Sequence, residues 1–484
     1  MSKTTIIYKD IAPGAAEDAA VAASGQMEGS DPTLLPEGHS TPAIATLELN
    51  SWLLNGTRKI MDGDTLAFWS EELSGEDGAF ANPPEITVSF DQQYTSTGIS
   101  LEFDAVGGDY CSQLKIAWYQ AGALLAEKPF EPDGVLYFCQ ENVTAYDQIV
   151  ITLLKTALPY RRARLTKITF GRLREFGMTE IRNAAITHEM DLLALELPVS
   201  TMAWTLDSRE NVEYMFQEKQ PMEAWNGDKA VGVFYIDKAK QIGAGLYNID
   251  CHDAFGVLDE SPFAGGIYTD KSAVELLQEI LGGEFELSVE VDDMALTGAI
   301  LPCSKREAIP QVLFAWGVCA STDGRSTVRI FAPGSDPKEI GTDKTFLGAS
   351  VETDSIVTKV IVTAHEYTED SEGDVEIGGV YYKDTQTTYT VENPNVTATT
   401  KQRVVEVTDA MLVSPTIGQG VAQRVYDYYA RRKTRSAKIV WTGERLGDCM
   451  TVPNAWGGTT TGNINRLEIK LSNTVVASSR SVGV

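Results

Sequence analysis

The chain has 484 residues, with 40 basic and 68 acidic side chains and a formal net charge of −28. This length exceeds what one hydrophobic core normally supports, so we expect two to four domains. The excess of acidic residues argues against specific or tight nucleic-acid binding through a general surface, because that affinity comes from clustered lysine and arginine side chains that release counterions.

The cysteines and the N-terminus indicate where the chain folds. The six cysteines lie far apart without Cys-x-x-Cys spacing, so we expect neither a zinc site nor a disulfide framework, and no cofactor. They are Cys111, Cys139, Cys251, Cys303, Cys319 and Cys449. No stretch of about 18 apolar residues occurs, and the N-terminus lacks the apolar core of a signal peptide. We therefore predict folding in a reducing cytoplasm and no membrane span.

Residues 1–45 contain a short strand pattern at residues 6–8, followed by a run rich in alanine, glycine, serine and proline. Such a composition buries little apolar area by itself, so we predict an N-terminal arm that lies across neighbouring molecules. Its alanine-rich piece, residues 15–23, is a candidate for a short helix that forms on docking.

Residues 46–171 change to short strands separated by Asp, Gly and Pro. The strands read TLEL, EITVSF, GISLEFDA, LKIAWYQ, VLYFCQ, QIVITLL and LTKITFG. About seven short strands with little helical periodicity predict a β-sandwich of the jelly-roll kind.

Three aromatic residues of this sandwich, Trp69, Trp118 and Tyr119, bear on sugar binding, because flat aromatic rings stack on sugar rings. Strand alternation puts Trp118 on the face of Leu114 and Ile116, which predicts a core position. Tyr119 then points the other way. We identify Tyr119 and Trp69 as candidate carbohydrate-binding residues, against the alternative that aromatic side chains supply the core.

Residues 172–260 form the next predicted domain. After a segment ending at Leu197-Pro198, apolar and polar residues alternate, as Trp204 and Leu206 do with Thr205. This period of two predicts a small closed or half-closed β-barrel.

Residues 261–349 predict a small α/β connecting domain. A helix is expected over residues 272–281, with Gly282-Gly283 as its stop, and a second over residues 305–316, with Pro310 near its first turn. The strand STVRIFA follows.

Residues 350–484 return to strands and predict a second β-barrel. SIVTKVIVTAHEY and VYYKDTQTTYTVEN are long enough to pair across an acidic turn, and AKIVWTG, DCMTVPN and INRLEIKLS close the domain. An inserted helix over residues 419–432 ends in the basic run Arg431-Arg432-Lys433. Cations at that end complement the helix dipole, an interpretation we prefer to a nucleic-acid patch.

No catalytic or metal-binding constellation is evident. His365-Glu366 begins like a zinc-protease motif, but Glu369 stands where the second ligand belongs. Cys251 and His252 are neighbours in a predicted strand, so they point to opposite faces and do not form a nucleophile–base pair. The 68 acidic residues make chance carboxylate pairs too common to single out an acid/base couple. We therefore predict that the chain is not an enzyme.

Several sequence strings occur in a characteristic order. ELPV, QPMEAW, GVFYIDKA, YNIDCHDAFGVLD and FAGGIY follow one another between residues 196 and 268. In this order they resemble the hub proteins of phage tails, which sit at the tail tip or baseplate. The resemblance extends over residues 172–484. Its second-barrel matches are Glu444, Gly447, Asp448, Val452, Pro453, Gly462, Ile464 and Leu471.

Residues 46–171 carry a second resemblance. FWS, PPEITVSF, GISLEF, YCSQLKIAWY and ARLTKITFG, in that order, resemble discoidin-like carbohydrate-binding modules that decorate some tail proteins. The expected fold class is thus mainly β with some α: a jelly-roll sandwich followed by two hub-type barrels with a small α/β insertion.

The two resemblances imply a structural virion protein, a hub at the tail tip or baseplate that closes the tail tube and links it to receptor-binding or cell-wall-degrading components. Tail tubes of such particles are rings of six barrels, so a chain with two barrels implies a homotrimer. Implied partners are the tail tube, distal tail or baseplate proteins, the tape measure protein and a host cell-surface glycan. The implied location is the virion tail.

Two alternatives remain open beside this interpretation. One is a carbohydrate-binding adhesin of a host-recognition device, and the other is the hub of a phage-derived contractile injection particle. A pair of barrels over residues 172–484 favours a hub over a free lectin, which needs no such modules. A hydrolase has no supporting residues.

Overall fold

The computed structural model of the protein describes residues 4–12, 14–40, 43–46, 48, 57–208, 214, 216–322, 326–346, 348–373, 375–397, 399–454, 456–471 and 475–483. The chain forms two compact units. The smaller unit is Tyr8–Arg174, and the larger unit comprises Met1–Ile7 and Glu175–Val484. Both are built mainly of strands, which confirms the predicted class of a multidomain, mainly β protein with some α.

The smaller unit is built from strands with one short helix. Its elements are β1 (Thr4–Ile11), α1 (Ala15–Asp18), β2 (Ala20–Ser24), a 3-10 turn (Pro32–Leu34), β3 (Phe68–Trp69), β4 (Glu85–Phe103), β5 (Cys111–Gln120), β6 (Ala123–Phe130), β7 (Leu136–Thr156), β8 (Arg164–Thr169) and β9 (Gly171–Phe176). Strands β1 and β9 have residues in both units. Of the predicted strand TLEL, the two leucines lie outside the described residues.

The helix predicted over residues 15–23 is wrong in its second half. Only Ala15–Asp18 is helical, and Ala20–Ser24 pairs instead with Glu85–Ser89 at the beginning of β4. Pairing with a sheet edge supplies hydrogen-bond partners for the backbone N–H and C=O groups of this alanine-rich segment. A helix this short would gain little stability from its own hydrogen bonds.

The sheet of the smaller unit has the order β3-β8-β4-β7-β5-β6, with β2 also on β4. Strands β4 and β7 are long and their pairing is interrupted by several register shifts, which bend the sheet around the core. The alternation predicted for β5 is confirmed, because Leu114, Ile116 and Trp118 are all fully buried. The edge hairpin β5–β6 turns at Ala121-Gly122, where both residues have the positive φ that a tight hairpin turn requires.

The larger unit contains the remaining elements. They are β10 (Ile181–Glu189), β11 (Thr201–Asp207), β12 (Pro221–Asn226), β13 (Lys229–Gly243), β14 (Leu246–His252), α2 (Ala254–Asp259), β15 (Pro262–Phe263), β16 (Gly266–Ser272), α3 (Ala273–Leu281), β17 (Leu287–Val289), β18 (Ala295–Ile300), β19 (Cys303–Ser304), α4 (Lys305–Trp316), β20 (Cys319–Ser321), β21 (Val328–Phe331), β22 (Lys338–Glu339), a 3-10 turn (Thr342–Lys344), β23 (Ser350–Thr353), β24 (Lys359–Glu369), β25 (Val375–Ile377), β26 (Val380–Glu392), β27 (Val404–Val407), α5 (Gly418–Ala430), β28 (Lys433–Val440), β29 (Cys449–Pro453), β30 (Thr459–Lys470) and β31 (Val476–Gly483).

One sheet runs through both regions that the sequence predicts as barrels, in the order β23-β28-β31-β30-β10-β11-β14-β13-β12. The regions meet at β10 and β30, where Ala185–Glu189 lie antiparallel to Arg466–Lys470. The alternating patterns predict the strands on each side but not this join. The division of the larger unit into finer domains stays a prediction.

The predicted helices of the connecting region are confirmed within a residue. In α3 the side chain of Ser272 caps the N-terminus and Gly282 ends the helix with a positive φ. In α4, Ser304 and Glu307 form a reciprocal capping box, and the helix continues through Pro310. The proline removes one backbone hydrogen bond, but the apolar stripe of α4 is buried in the core beside α3.

The helix predicted over residues 419–432 is two residues shorter at its end. Helix α5 stops at Ala430, Arg431 is its C-cap, and Arg432 adopts a positive φ that turns the chain into β28. Arg432 and Lys433 therefore lie beyond the last helical turn. Arg432 Nε donates to the Asp354 carbonyl, outside the helix.

Candidate functional site

A cavity of about 740 Å³ lies in the larger unit beside the join of β10 and β30. Its wall includes residues of both strands, the β12–β13 hairpin, the segment after β20 and the segment after β28. Charged and aromatic lining side chains include His188, Glu223, Trp225, Trp441 and Glu444. Its lining combines charged, aromatic and aliphatic side chains, the mixed chemistry that is typical of ligand sites.

The segment after β28 is tied down by its own hydrogen bonds. Trp441 Nε1 donates to the Glu444 carbonyl at 3.0 Å, and the Thr442 amide donates to the Glu444 carboxylate at 2.7 Å. Lys229 Nζ donates to the Thr442 carbonyl at 2.7 Å, which joins the β12–β13 hairpin to this segment. Lys229 and Glu444 thus have structural partners, and none of these contacts activates a nucleophile.

Behind the cavity wall lies a buried carboxyl group, that of Asp253. Its Oδ1 accepts from the Phe255 amide at 3.1 Å and so caps α2, and its Oδ2 accepts from Thr322 Oγ1 at 3.1 Å. Only 1% of the side chain is exposed. Burial raises the pKa of Asp253 to about 6, against the opposing effect of its hydrogen bonds. No basic side chain in the described ranges of the chain forms an ion pair with it.

The neighbouring Cys251 and His252 point to opposite faces of β14, as predicted. Cys251 is buried inside the sheet and its Sγ lies 3.9 Å from Met222 Sδ. Burial raises the pKa of this thiol, so it is not a ready thiolate. His252 Nδ1 lies 3.0 Å from the Asp253 carbonyl. The pair has structural roles and does not form a catalytic couple.

His365 is a structural link in a strand, as the sequence predicts. It lies on β24 with Nδ1 2.8 Å from Asp384 Oδ2 on β26 and Nε2 2.9 Å from the Thr408 carbonyl. Both ring nitrogens are therefore engaged within the protein. Among the residues that the structure describes, no group of His, Cys, Asp and Glu side chains is arranged to hold a metal ion.

The prediction that Trp69 binds sugar is wrong. Only 2% of Trp69 is exposed, and the Arg164 guanidinium lies 3.9 Å from its ring centroid. Arg164 is itself buried and pairs with Asp104 at 2.7 Å, with Asp109 at 3.3 Å and with Glu48. A ring covered in this way has no free face for a sugar. No pattern in the sequence marks Arg164 as the cation that covers it.

Tyr119 lies near the opposite edge of the same sheet from Trp69, on β5 of the edge hairpin, and is partly exposed. Three strands separate β3 from β5, so the structure does not bring Trp69 and Tyr119 together. Beside Tyr119 the hairpin exposes Leu124 by 56% and Leu125 by 41%. Tyr119 therefore remains a candidate contact residue, now with aliphatic neighbours on β6.

In the described residues, no helix combines the length and the apolar character that crossing a membrane requires.

Comparison with known proteins gives similarity at the level of fold. No family model matches the chain, and no curated protein sequence does. The chain is similar to the 43 kDa tail protein of prophage MuSo2 from Shewanella oneidensis, at 11% identity and a TM-score of 0.46, over 64% of this chain and 96% of that one. It is also similar to a tail protein from Neisseria meningitidis, at 11% identity and a TM-score of 0.47, over 64% and 93% of the two chains.

A third similar structure is prophage tail protein gp18 from Listeria monocytogenes, at 12% identity and a TM-score of 0.43, over 63% of this chain and 91% of that one. The structural neighbours are thus tail proteins.

The raised pKa of Asp253 predicts how stability depends on pH. The folded state holds this proton more tightly than the unfolded chain, whose Asp titrates near the ordinary value of 3.8. The resulting stabilisation is fully present below about pH 4 and is lost as pH rises through about 6. It amounts to roughly 3 kcal/mol of unfolding free energy.

Asp253→Asn keeps a side chain that caps helices well but does not titrate. We expect urea unfolding of the variant to show a smaller fall in stability between pH 4 and pH 7 than the natural protein shows. Other titrating groups are common to both proteins and cancel in the comparison. Identical pH dependence of the two unfolding free energies would contradict this account of Asp253.

Proposed function

We propose that the chain is a structural component of a phage-type tail, a homotrimeric hub at the tail tip or baseplate that closes the tail tube. Its partners in this role are the tail tube, the tape measure protein and the distal tail or baseplate proteins, and its place is the virion tail. It performs no catalysis itself. Support comes from the sequence resemblance over residues 172–484 and from the architecture of the larger unit.

The observation that carries the proposal is the pairing of β10 with β30, which joins two strand-rich regions edge to edge within one chain. A ring of six such regions, built from three copies, would repeat this kind of contact between molecules. The sheet offers an edge for it at β23, a four-residue strand whose only partner among the described strands is β28. Unpaired edges of this kind are normally covered in a native assembly, and closed rotational symmetry covers them without forming open fibres.

A non-enzymatic role is consistent with the candidate site. The buried Cys251, the engaged His365 and the capping Asp253 each have a structural partner. A nucleophile with a base in hydrogen-bond reach is the minimum for acyl or glycosyl transfer, and the described residues around the cavity do not supply one.

The trimer predicts a definite mass in solution. We expect the full chain at about 20 µM to elute in light-scattering chromatography at about three times its 52.7 kDa mass. Proline at Thr353 on β23 removes a backbone donor from the proposed contact edge, because the amide of the next residue, Asp354, points toward β28 and amides alternate along a strand. Thr353→Pro should therefore yield monomers. The matched control is Glu406→Pro, which changes an exposed glutamate on β27, an edge strand of another sheet. A monomeric natural chain, or equal effects of the two prolines, would contradict the proposal.

Glycan contact by the smaller unit is a second candidate function, favoured by the partly exposed Tyr119 beside Leu124 and Leu125. An aromatic ring flanked by aliphatic side chains on an exposed hairpin offers a flat apolar platform. The same unit would act as an adhesin module in the alternative of a host-recognition device.

This second candidate predicts separate effects at neighbouring positions. Tyr119→Ala should weaken binding of the full chain on a glycan array and leave its unfolding free energy unchanged. Trp118→Ala truncates a fully buried side chain, so it should cost about 3–5 kcal/mol of stability. If no glycan binds the natural chain, or if Tyr119→Ala binds as well as the natural chain does, the smaller unit has no glycan site at Tyr119.

A further inference from the structure

The exposed face of the sheet carries a group of cations that the overall charge does not lead one to expect. Lys438 on β28, Arg480 on β31 and Arg466 on β30 line one depression of about 450 Å³, together with the hydroxyls of Ser436 and Ser478. Glu468 is the one carboxylate in its lining. The whole chain has 68 acidic and 40 basic residues, whereas the lining of this depression has three cations and one carboxylate. The local excess of cations is therefore opposite to the overall excess of acids.

These cations have few partners inside the protein. Arg466 and Arg480 stand directly opposite each other in the β30–β31 pairing, an arrangement in which like charges repel. Arg466 has Glu189 at 3.6 Å, with both side chains nearly half exposed. In the parts of the chain that the structure describes, neither Arg480 nor Lys438 forms an ion pair. An anion bound between them would relieve the repulsion.

Arg480 also lines a second, smaller depression, of about 110 Å³, so the two depressions share this side chain. Arg403 and Arg432 lie there with Asp354 as the one acidic residue of the lining. Arg432 Nε donates to the Asp354 carbonyl at 3.0 Å, and an Arg403 Nη donates to the Ser355 carbonyl at 3.2 Å. One N–H of each guanidinium thus donates to a backbone carbonyl and fixes the orientation of the side chain. The remaining N–H groups of each guanidinium can donate to a bound anion.

The basic run after α5 acquires a role in this arrangement. Arg432 lies beyond the helix end, and its Nε donates to the Asp354 carbonyl. It extends the cationic face that Lys438, Arg466 and Arg480 begin. We call these five residues (Arg403, Arg432, Lys438, Arg466 and Arg480) the basic face.

We propose that the basic face binds the phosphodiester backbone of a nucleic acid, independently of base sequence. Four of its five cations are arginines, whose planar donor forks match phosphate oxygens in pairs, and the serine hydroxyls add donors of the kind that contact phosphates. Five cations spread over two adjoining depressions fit a chain of anions better than one isolated anion. The face offers no array of side chains for reading base edges, so the contact is one of charge and position.

Carboxylates of an acidic protein are the competing ligand, since arginine forks accept them too. Phosphates are favoured because they repeat at close intervals along a polymer, as the cations do across β28, β31 and β30. The net charge of −28 repels any polyanion at long range, so the contact should be weak and strongly dependent on salt. With about three to five phosphates neutralised, the logarithm of affinity should fall with the logarithm of salt at a slope of about −3 to −4.5 for duplex DNA.

The test is fluorescence anisotropy of a labelled 20-base-pair duplex of random sequence, titrated with the full chain between about 20 and 200 mM salt. The patch variant is Arg466→Gln with Arg480→Gln. The matched control is Lys238→Gln with Lys240→Gln, which removes the same charge from exposed positions on β13 of the same sheet. We expect the patch variant to bind at least tenfold more weakly and to reduce the salt slope by about 2, while the control binds like the natural chain.

Unlabelled polyglutamate, matched in charge concentration, separates the two ligand chemistries. It should displace the duplex poorly if the basic face is built for phosphates. The proposal is overturned if the duplex does not bind at 20 mM salt, if patch and control variants lose affinity equally, or if polyglutamate competes as well as unlabelled DNA. The last result would assign the face to an acidic protein partner. None of these outcomes bears on the mass measurement that tests the trimer.

Discussion

Five consecutive residue pairs between β10 and β30 make one sheet out of two regions that lie far apart in the sequence. Burial fixes their register, because Ile186 and His188 face the interior opposite Ile469 and Leu467. A shift by one residue would turn the apolar side chains of Ile186, Leu467 and Ile469 to the opposite face of the sheet. The cavity beside the join, the capped helix behind it and the exposed face of β30 all take their positions from this pairing.

The surroundings of each charged side chain are set by its local partners and not by the overall excess of acidic residues. Buried charges are compensated individually: Arg164 by three carboxylates in the smaller unit, and Arg435 by the carbonyls of Val452 and Pro453 in the larger one. Asp253 is compensated by hydrogen bonds alone, and its burial raises its pKa. On the exposed face of β28, β31 and β30, Arg466 lies near Glu189, whereas Lys438 and Arg480 form no ion pair within the described residues. These two cations are the basis for proposing an external anion there.

Local patterns predicted local structure well. Alternation placed Trp118 in the core and put Cys251 and His252 on opposite faces, and capping residues placed α3 and α4 within a residue. What local patterns miss are contacts between distant segments: the β10–β30 join, the cover of Trp69 by Arg164, and the pairing that makes Ala20–Ser24 a strand. Each depends on partners more than 60 positions away in the chain, for which neither propensity nor spacing carries a signal.

The sheet that crosses both regions is the central claim, and a disulfide across the join tests it most directly. Thr187 and Glu468 face each other in the β10–β30 pairing, so Thr187→Cys with Glu468→Cys should form an intrachain disulfide under mild oxidation, seen as a linked peptide by mass spectrometry. Thr187→Cys with Lys438→Cys is the control, because β31 and β30 lie between β28 and β10. We predict a cross-link in the first variant and none in the second. Absence of the first cross-link, or equal yields in both, would contradict a continuous sheet.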